Sequence, residues 1–243
     1  FARLLYRYRD IFLPGPDVGT NDADMKTIAI ENGLDNALSK PSEMGGSRID
    51  VLGAAGGGLA IAIDELLKEL PRLQALPQFA NLEVPEPGNL TVLLQGFGSV
   101  GAHAARFLNE RMPAARITGV SDASGYIFDE KGLPVDELFK LWRKHHVVAE
   151  PYFEARRRLA PGQRLTKYSN APDDLLRESA FCLIPAAPVA NYLDTDPGTR
   201  PSMTTDRMGR LSIIVEGANT YSPDPLRQAA RARMERAVYR ERG

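Results

Sequence analysis

Hydrophobic residues in this chain form short runs that alternate with longer amphipathic stretches. Short apolar runs, bounded by glycine, proline or polar residues, predict buried strands at residues 91–94, 117–120, 181–184 and 211–215. Helical patterns predict helices at residues 22–32, 59–70, 134–144 and from Pro223 onward. Strands that alternate with helices in this way predict an α/β fold with a mostly parallel sheet.

Punctuating residues set the expected limits of these elements. Asn21 or Asp22 is expected to cap the helix that ends at Gly33, and Pro71 is expected to end the helix at residues 59–70. Gly125–Gly132 predicts a small hairpin. Residues 150–170 are charged and predict irregular structure, with Arg156–Arg158 on a solvated helix face or, as the alternative, in an anion site.

Composition and charge exclude several classes of protein. The 243 residues carry a formal net charge of −1, which gives no support for binding nucleic acid or a membrane surface. No apolar run approaches the ~20 residues of a membrane span, and the first residues do not resemble a signal peptide. The single cysteine, Cys182, excludes an internal disulfide and a cysteine-cluster metal site. A buried, inert thiol in the cytoplasm is therefore expected, and no metal site is predicted.

A glycine-rich turn follows the first strand and offers candidate chemistry. Gly96, Gly98 and Gly101 have G-x-G-x-x-G spacing between a predicted strand and a predicted helix. Gly96 would make the tight turn, Gly98 would let a pyrophosphate approach the backbone, and Gly101 would let the helix pack closely on the strand. The N–H groups at the start of the helix would face the phosphates.

An acidic residue follows the next predicted strand. Asp122 stands 21 residues after Gly101, close to the spacing of about 20 residues expected for a carboxylate that binds an adenosine ribose. The alternative is a chance glycine-rich turn with Asp122 capping a loop. Two later strands end at Pro185-Ala-Ala187 and Glu216-Gly-Ala-Asn219, which should reach the same sheet edge. Their small residues leave room for a ribose and a nicotinamide ring, although each segment could also be an ordinary turn.

Five motifs in order along the chain resemble those of the glutamate dehydrogenases, within the wider glutamate/leucine/phenylalanine/valine dehydrogenase superfamily. They are Pro16-Asp-Val-Gly-Thr20, Lys40-Pro41 with Gly45-Gly46, Gln95-Gly-Phe-Gly-Ser-Val-Gly101, Leu183-Ile-Pro-Ala-Ala187 and Glu216-Gly-Ala-Asn219. The resemblance implies a Rossmann-type, doubly wound sheet with helices on both faces. It also implies a subunit of two domains and a hexameric assembly. It assigns residues 1–45 to the end of the substrate domain and 46–243 to the dinucleotide-binding domain. The implied reaction is reversible oxidative deamination of an amino acid to a 2-oxo acid.

The resemblance also implies roles for individual residues. Asp17 matches the catalytic aspartate that moves protons to and from the substrate nitrogen. An acid at Asp122 implies NAD rather than NADP, because it repels a 2′-phosphate. The implied cofactor contacts are Gly96, Phe97, Gly98, Ser99, Val100, Gly101, Asp122, Ala186, Ala187 and Asn219.

Three departures from the family pattern leave other interpretations open. Residues 1–16 contain no lysine, Ala55-Gly56 stands where the family has Thr-Gly, and the chain stops before the segment that completes the substrate pocket. Because it also begins at Phe1, we expect it to be part of a longer enzyme that binds NAD but turns over little alone. Alternatives are a dehydrogenase of leucine, valine or phenylalanine, and a catalytically silent nucleotide-binding module. The expected partners are a small-molecule substrate and further copies of the chain, with no nucleic acid or membrane.

Overall fold

The computed structural model describes residues 1–17, 19–47, 49–82, 84–159, 166–189, 191–218 and 225–242. The chain divides into two compact units, Phe1–Ala54 and Ala55–Gly243. The predicted boundary between residues 45 and 46 separates two functional domains, a substrate domain and a dinucleotide-binding domain. It stays a prediction.

The first unit is built from short helices. They are α1 (Ala2–Leu5), α2 (Asp22–Asn32) and α3 (Ile49–Leu52), with 3₁₀ turns at Tyr6–Tyr8, Leu34–Asn36 and Ser42–Met44. The predicted start of α2 is confirmed, because the Asn21 side chain accepts from the backbone N–H of Ala23 and the Asp24 carboxylate accepts from Asn21 N–H. Gly33 ends α2 with φ of 104°, a conformation that favours glycine.

The second unit contains a six-stranded sheet. Its strands and helices are α4 (Ala54–Leu73), β1 (Thr91–Gln95), α5 (Ser99–Arg111), β2 (Arg116–Asp122), β3 (Gly125–Phe128), α6 (Val135–His145), α7 (Ala149–Leu159), β4 (Lys167–Ser169), β5 (Cys182–Pro185), β6 (Leu193–Asp194), β7 (Met203–Thr204), β8 (Ile213–Ile214) and α8 (Pro225–Arg242). The strand order is β4-β3-β2-β1-β5-β8, and β6 and β7 form a separate parallel pair. Strands β2, β1, β5 and β8 are parallel, whereas β3 and β4 are antiparallel to their neighbours.

Alternate residues of the central strand enter two apolar clusters on opposite faces of the sheet. Val92 and Leu94 pack with residues of α4, α5, α6 and α7 in the larger cluster. Leu93 packs on the other face, where the 3₁₀ helix Pro172–Arg177, the segment from Tyr192 to Met208 and Val238 of α8 contribute. The mostly parallel sheet flanked by helices confirms the predicted α/β class.

Helix α4 is longer than the predicted helix at both ends. The helix was predicted to begin at residue 59, but it begins at Ala54 and includes the three glycines at 56–58. A Cβ on Gly56 would lie 2.5 Å from the backbone N of Ala104 in α5. Pro71 was also wrongly expected to end the helix. It lies in the last turn, where Gln74 N still donates to Leu70 O at 3.0 Å and Leu70 is buried.

Two predictions between residues 122 and 170 were wrong in detail. The hairpin does not lie within Gly125–Gly132, since β3 is one strand that pairs with β2 across the turn at residues 123–124. Residues 149–159 form helix α7 rather than irregular structure, and Pro151 is tolerated in its first turn. Arg157 and Arg158 are exposed as expected, but Arg156 is only half-exposed and pairs with Glu137 at 3.0 Å.

Candidate functional site

The glycine turn lies at the carboxyl edge of the parallel strands. Gly96 has φ of 96°, and a Cβ on it would lie 2.7 Å from the backbone N of Ala187 and 2.9 Å from the carbonyl carbon of Ala186. Glycine is therefore required here both for its backbone conformation and for its contact with the segment after β5. This close backbone contact joins two of the predicted site segments.

Gly101 and Gly98 have opposite surroundings. A Cβ on Gly101 would lie 2.0 Å from the carbonyl oxygen of Gly96, so glycine is needed for α5 to pack on the turn. Among the described residues, and apart from its own chain neighbours, no atom lies within 4 Å of the position that a Cβ on Gly98 would take. The turn is therefore closed against the sheet at Gly96 and Gly101 and open on the side of Gly98, as the spacing predicted.

The amino end of α5 presents backbone donors on this open side. Gly98 is the N-cap residue, and among the described residues no side chain caps the helix. The first intrahelical bond is made by Ala102 N, which donates to Gly98 O at 2.9 Å. The preceding N–H groups are those that a helix leaves for a ligand or water. Phe97 contributes only backbone here, because its side chain is buried at 1% exposure in the larger apolar cluster.

The ends of β5 and β8 complete the same edge. Ala186 N donates to Gln95 O at 2.7 Å, and Gly217 N donates to Pro185 O at 2.8 Å. These bonds place Ala186 beside the end of β1 and Gly217 beside the end of β5, as expected for parallel strands. Glu216 forms an ion pair with Arg231 of α8. Asn219, predicted as a cofactor contact, lies outside the described residues.

The carboxylate of Asp122, at the end of β2, is engaged on both oxygens. Its Oδ1 accepts from Ser124 N at 2.8 Å and from Ser124 Oγ at 2.6 Å. Its Oδ2 accepts from the backbone N–H groups of Val148 and Ala149. Since a carboxylate offers about four acceptor positions, these bonds fill it and fix the start of α7 beside the turn after β2.

The remaining predicted residues lie elsewhere in the chain. Asp17 belongs to the first unit, where its side chain is exposed and its carbonyl oxygen accepts from Thr20 N at 2.9 Å. Ala55 is exposed in the first turn of α4. The catalytic role predicted for Asp17 stays a proposal, and Ala55 stays a departure from the family pattern.

A buried amide next to the glycine turn was not predicted. Gln95, the last residue of β1, is 3% exposed, and neither Oε1 nor Nε2 has a hydrogen-bond partner among the described residues. An unsatisfied buried amide is costly, so this side chain is a further candidate for contact with a ligand at the edge. A polar residue at the end of an otherwise apolar strand was the sequence signal that could have found it.

Two absences hold for the part of the chain that the structure describes. It contains no group of three histidine, cysteine, aspartate or glutamate side chains arranged to hold a metal ion. Its helices also lack the combination of length and apolar character that crossing a bilayer requires.

Together, the sheet order and the glycine turn between β1 and α5 define a Rossmann-type α/β protein. The family model for Glutamate/Leucine/Phenylalanine/Valine dehydrogenase matches residues 45–238. The chain belongs to this dehydrogenase family.

Curated relatives include glutamate dehydrogenases of different cofactor specificity. The chain is 28% identical over 228 residues to the NADP-specific glutamate dehydrogenase of Saccharolobus shibatae, covering 90% of this chain and 45% of that protein. It is 32% identical over 133 residues to the NAD-specific glutamate dehydrogenase of Staphylococcus aureus, covering 52% of this chain and 28% of that protein. The chain spans less than half the length of each of these relatives.

Solved structures share the fold. Plasmodium falciparum glutamate dehydrogenase superposes with a TM-score of 0.65 at 19% identity, covering 98% of this chain and 46% of that chain. The hetero-hexameric glutamate dehydrogenase of Thermus thermophilus gives a TM-score of 0.53 at 21% identity, covering 95% of this chain and 49% of that chain. At these identities the likeness establishes the fold alone.

Proposed function

We propose that the second unit is the dinucleotide-binding part of an NAD-dependent glutamate dehydrogenase. The complete enzyme would catalyse reversible oxidative deamination of L-glutamate to 2-oxoglutarate and ammonia. The observation that carries the proposal is the glycine turn, which is closed at Gly96 and Gly101 and open at Gly98 beside an uncapped helix. Family membership supports the dehydrogenase assignment.

The cofactor's pyrophosphate fits this turn. It would lie over Gly98 and accept from the N–H groups of Ser99 and Val100, with the amino end of α5 stabilising its charge. Ala186 and Ala187 would leave space for the ribose and nicotinamide, and Gln95 and Asn219 would supply amide groups at the same edge. When bound, the nicotinamide would accept the hydride from the α-carbon of the amino acid.

The choice of NAD over NADP rests on Asp122. Its oxygens already accept from Ser124, Val148 and Ala149, so a direct bond to the ribose would have to replace one of these. Its negative charge, however, acts over distance and would disfavour a 2′-phosphate without any contact. NAD is therefore proposed on electrostatic grounds.

Asp17 is proposed to move protons to and from the substrate nitrogen. The chain spans less than half the length of its relatives. Recognition of glutamate is therefore proposed for the whole enzyme and is not assigned to residues of this chain. Other copies of the chain are its proposed partners, and the buried free thiol of Cys182 is compatible with the cytoplasm.

A glycine substitution tests dinucleotide binding. Gly98→Asp would place a carboxylate where the pyrophosphate is proposed, and open space around Gly98 makes the change compatible with folding. We expect NAD binding, measured by calorimetry, to weaken at least about tenfold through charge repulsion. Gly88→Asp is the matched control, because Gly88 is exposed and also has no atom within 4 Å of its Cβ position. Equal NAD affinity in both variants would remove the glycine turn from the site.

Substrate assays separate the alternatives. A complete enzyme that deaminates glutamate faster than leucine, valine or phenylalanine supports the proposal, and the reverse order favours another member of the family. If the chain binds NAD but the complete protein is inactive toward all four amino acids, the silent regulatory module is favoured.

A further inference from the structure

A second cavity lies at the opposite edge of the sheet from the glycine turn. Its volume is about 420 Å³, within the range of small-molecule sites, and Arg116, Lys131, Tyr152 and Arg156 contribute to its lining. Arg116 is the first residue of β2 and Asp122 is the last. At about 3.3 Å per residue, the cavity is roughly 20 Å from the proposed cofactor edge. It is therefore separate from the site already described.

The floor of the cavity is a fixed loop after β3. Asp129 N donates to Thr118 O at 2.8 Å and Leu133 N donates to Ile117 O at 2.7 Å, which bind both ends of the loop to β2. Gly132 has φ of 96°, and its Cβ position lies 3.3 Å from Cβ of Arg116. The loop therefore supports the stem of Arg116 and directs the arginine along the cavity wall.

Two cations in the lining, Arg116 and Lys131, have no anionic partner among the described residues. Within the described part of the chain, neither Arg116 nor Lys131 takes part in an ion pair. The guanidinium of Arg116 donates to the carbonyl oxygen of Glu130 at 3.3 Å, and its Nε is buried without a hydrogen-bond partner among the described residues. Because a buried charged donor is costly when unpaired, this arrangement favours an anionic ligand.

Helix α7 provides the other wall. Arg156 pairs with Glu137 at 3.0 Å and lies over the ring of Tyr152, 5.2 Å from its centroid. Burial raises the pKa of the Tyr152 phenol, so the hydroxyl stays protonated and can donate at neutral pH. Thr166 lines the cavity as well and adds a second hydroxyl.

The charges of the cavity do not cancel. Asp129 is the acid in the lining, and its Oδ1 accepts from Lys131 N at 2.9 Å. Glu137 offsets Arg156. Against these two acids stand three cations, Arg116, Lys131 and Arg156, so the described residues give the cavity a net positive charge.

We propose that this cavity is a binding site for a small multivalent oxyanion, a phosphorylated or polycarboxylate metabolite, held by Arg116, Lys131 and Arg156. Arginine suits planar, bidentate contact with phosphate or carboxylate, and lysine adds a flexible point charge. The hydroxyls of Tyr152 and Thr166 would donate to the same groups.

Calorimetric titration with pyrophosphate and, separately, with citrate tests the site. The titrations use Gly98→Asp as the background, so that binding of pyrophosphate at the glycine turn is weakened by charge repulsion. We expect Arg116→Gln to weaken binding of the preferred probe about tenfold and Lys131→Gln about fivefold. Lys140→Gln, an exposed change on α6 outside the cavity lining, is the control and should leave the affinity unchanged. Circular dichroism confirms that each variant is folded.

The two probes distinguish the sources of the anion. Tighter binding of pyrophosphate indicates a phosphorylated ligand, and tighter binding of citrate indicates a polycarboxylate. The proposal is wrong if neither probe binds, or if Arg116→Gln and Lys131→Gln, both folded, bind as tightly as the control. Since NAD is absent from the titration, a failure of the proposed dinucleotide site would leave this result intact.

Discussion

At the scale of single residues, Asp122 has a structural role that does not depend on a ligand. Its carboxylate accepts from Ser124 in the adjacent turn and from Val148 and Ala149 at the start of α7. Negative charge at the amino end of a helix is stabilising, and the bonds to a carboxylate are charge-assisted. The same group is proposed to disfavour NADP, so one side chain carries both roles.

Asp122→Asn should affect both the stability of the fold and the preference between the two cofactors. The amide replaces one acceptor oxygen with a donor, which then faces either Ser124 or the N–H groups of Val148 and Ala149. We expect the free energy of unfolding to fall by about 1–3 kcal/mol, measured with urea. The affinity ratio of NADP to NAD should rise because the negative charge is removed. Asp206→Asn, an exposed change in the turn after β7, should alter neither quantity, and an unchanged urea midpoint in Asp122→Asn would contradict the structural role.

The Cys182 thiol should make stability depend on alkaline pH. Burial raises its pKa from 9.0 to about 12. Above about pH 9 the unfolded chain loses this proton while the folded chain keeps it, so stability is full below that pH and falls as the pH rises. The expected loss is about 1.4 kcal/mol per pH unit above the unfolded pKa.

Urea unfolding at about pH 7 and about pH 10 measures this effect. The alkaline loss of stability should be smaller in Cys182→Ala, which has no thiol to titrate. An identical pH dependence in the two proteins would show that Cys182 does not contribute to it.

At the scale of secondary structure, glycine determines how α4 packs on α5. Gly56 and Gly58 lie within α4, but only Gly56 is in close contact with the backbone of Ala104 in α5. Around Gly58, no atom lies within 4 Å of the Cβ position. Close packing on α5 therefore requires glycine at position 56 but not at position 58.

Alanine substitution should give opposite results at these positions. Gly56→Ala places a Cβ 2.5 Å from Ala104 N and should destabilise the protein by about 1–3 kcal/mol by forcing the helices apart. Gly58→Ala should stabilise it by about 0.5–1 kcal/mol, because alanine favours a helix interior. Urea midpoints measure both. Destabilisation of equal size in the two variants would contradict the close packing at Gly56.

Local patterns predicted the central buried strands and most of the helices, but they did not predict the short strands β4, β6 and β7. The runs near β1, β2 and β5 were recognisable because buried strands are short, apolar and bounded by glycine or proline. The start of α4 was missed because three glycines resemble a loop when the partner helix is unknown. Helix α7 was missed because its charged sequence lacks an apolar run, and its start is fixed by bonds to Asp122, 26 residues earlier.

At the scale of the whole chain, apolar burial is uneven between the two units. Among the described residues, the cluster in the first unit contains five buried residues, whereas the larger cluster in the second contains 24. Exposed large apolar side chains are also frequent in the first unit, including Phe1, Ile11 and Phe12. Since burial of apolar surface is the main stabilising contribution, the first unit should be the less stable.

Hydrogen exchange should reveal this difference. We expect the amides of α2 to exchange faster than those of β1 and β5, because opening the first unit exposes less apolar surface. Met25→Ala, which truncates a buried residue of the smaller cluster, should accelerate exchange in α2 while leaving β1 unchanged. Equal protection of α2 and β1 would show that the units unfold together.

The candidate site was predictable in outline because parallel strands end at one edge. That rule placed Gly96, Ala186 and Ala187 together before the structure was known. The structure added what depends on distant contacts: the backbone approach of Gly96 to Ala187, the buried amide of Gln95 and the bonds that occupy Asp122. The contact between Gly96 and Ala187 and the bonds from Val148 and Ala149 to Asp122 join residues far apart in the sequence, so no short stretch of sequence predicts them.

The contact between Gly96 and Ala187 also has a consequence for the order of folding. β1 pairs with β2, which follows closely in the chain, and with β5, whose neighbouring Phe181 lies 90 residues beyond Thr91. Contacts between distant residues form slowly, because a long loop must close first. The strand that carries the glycine turn can therefore pair on one side early, while the wall formed by Ala186 and Ala187 arrives late. The edge that is proposed to bind the dinucleotide therefore becomes complete only when β5 has paired with β1.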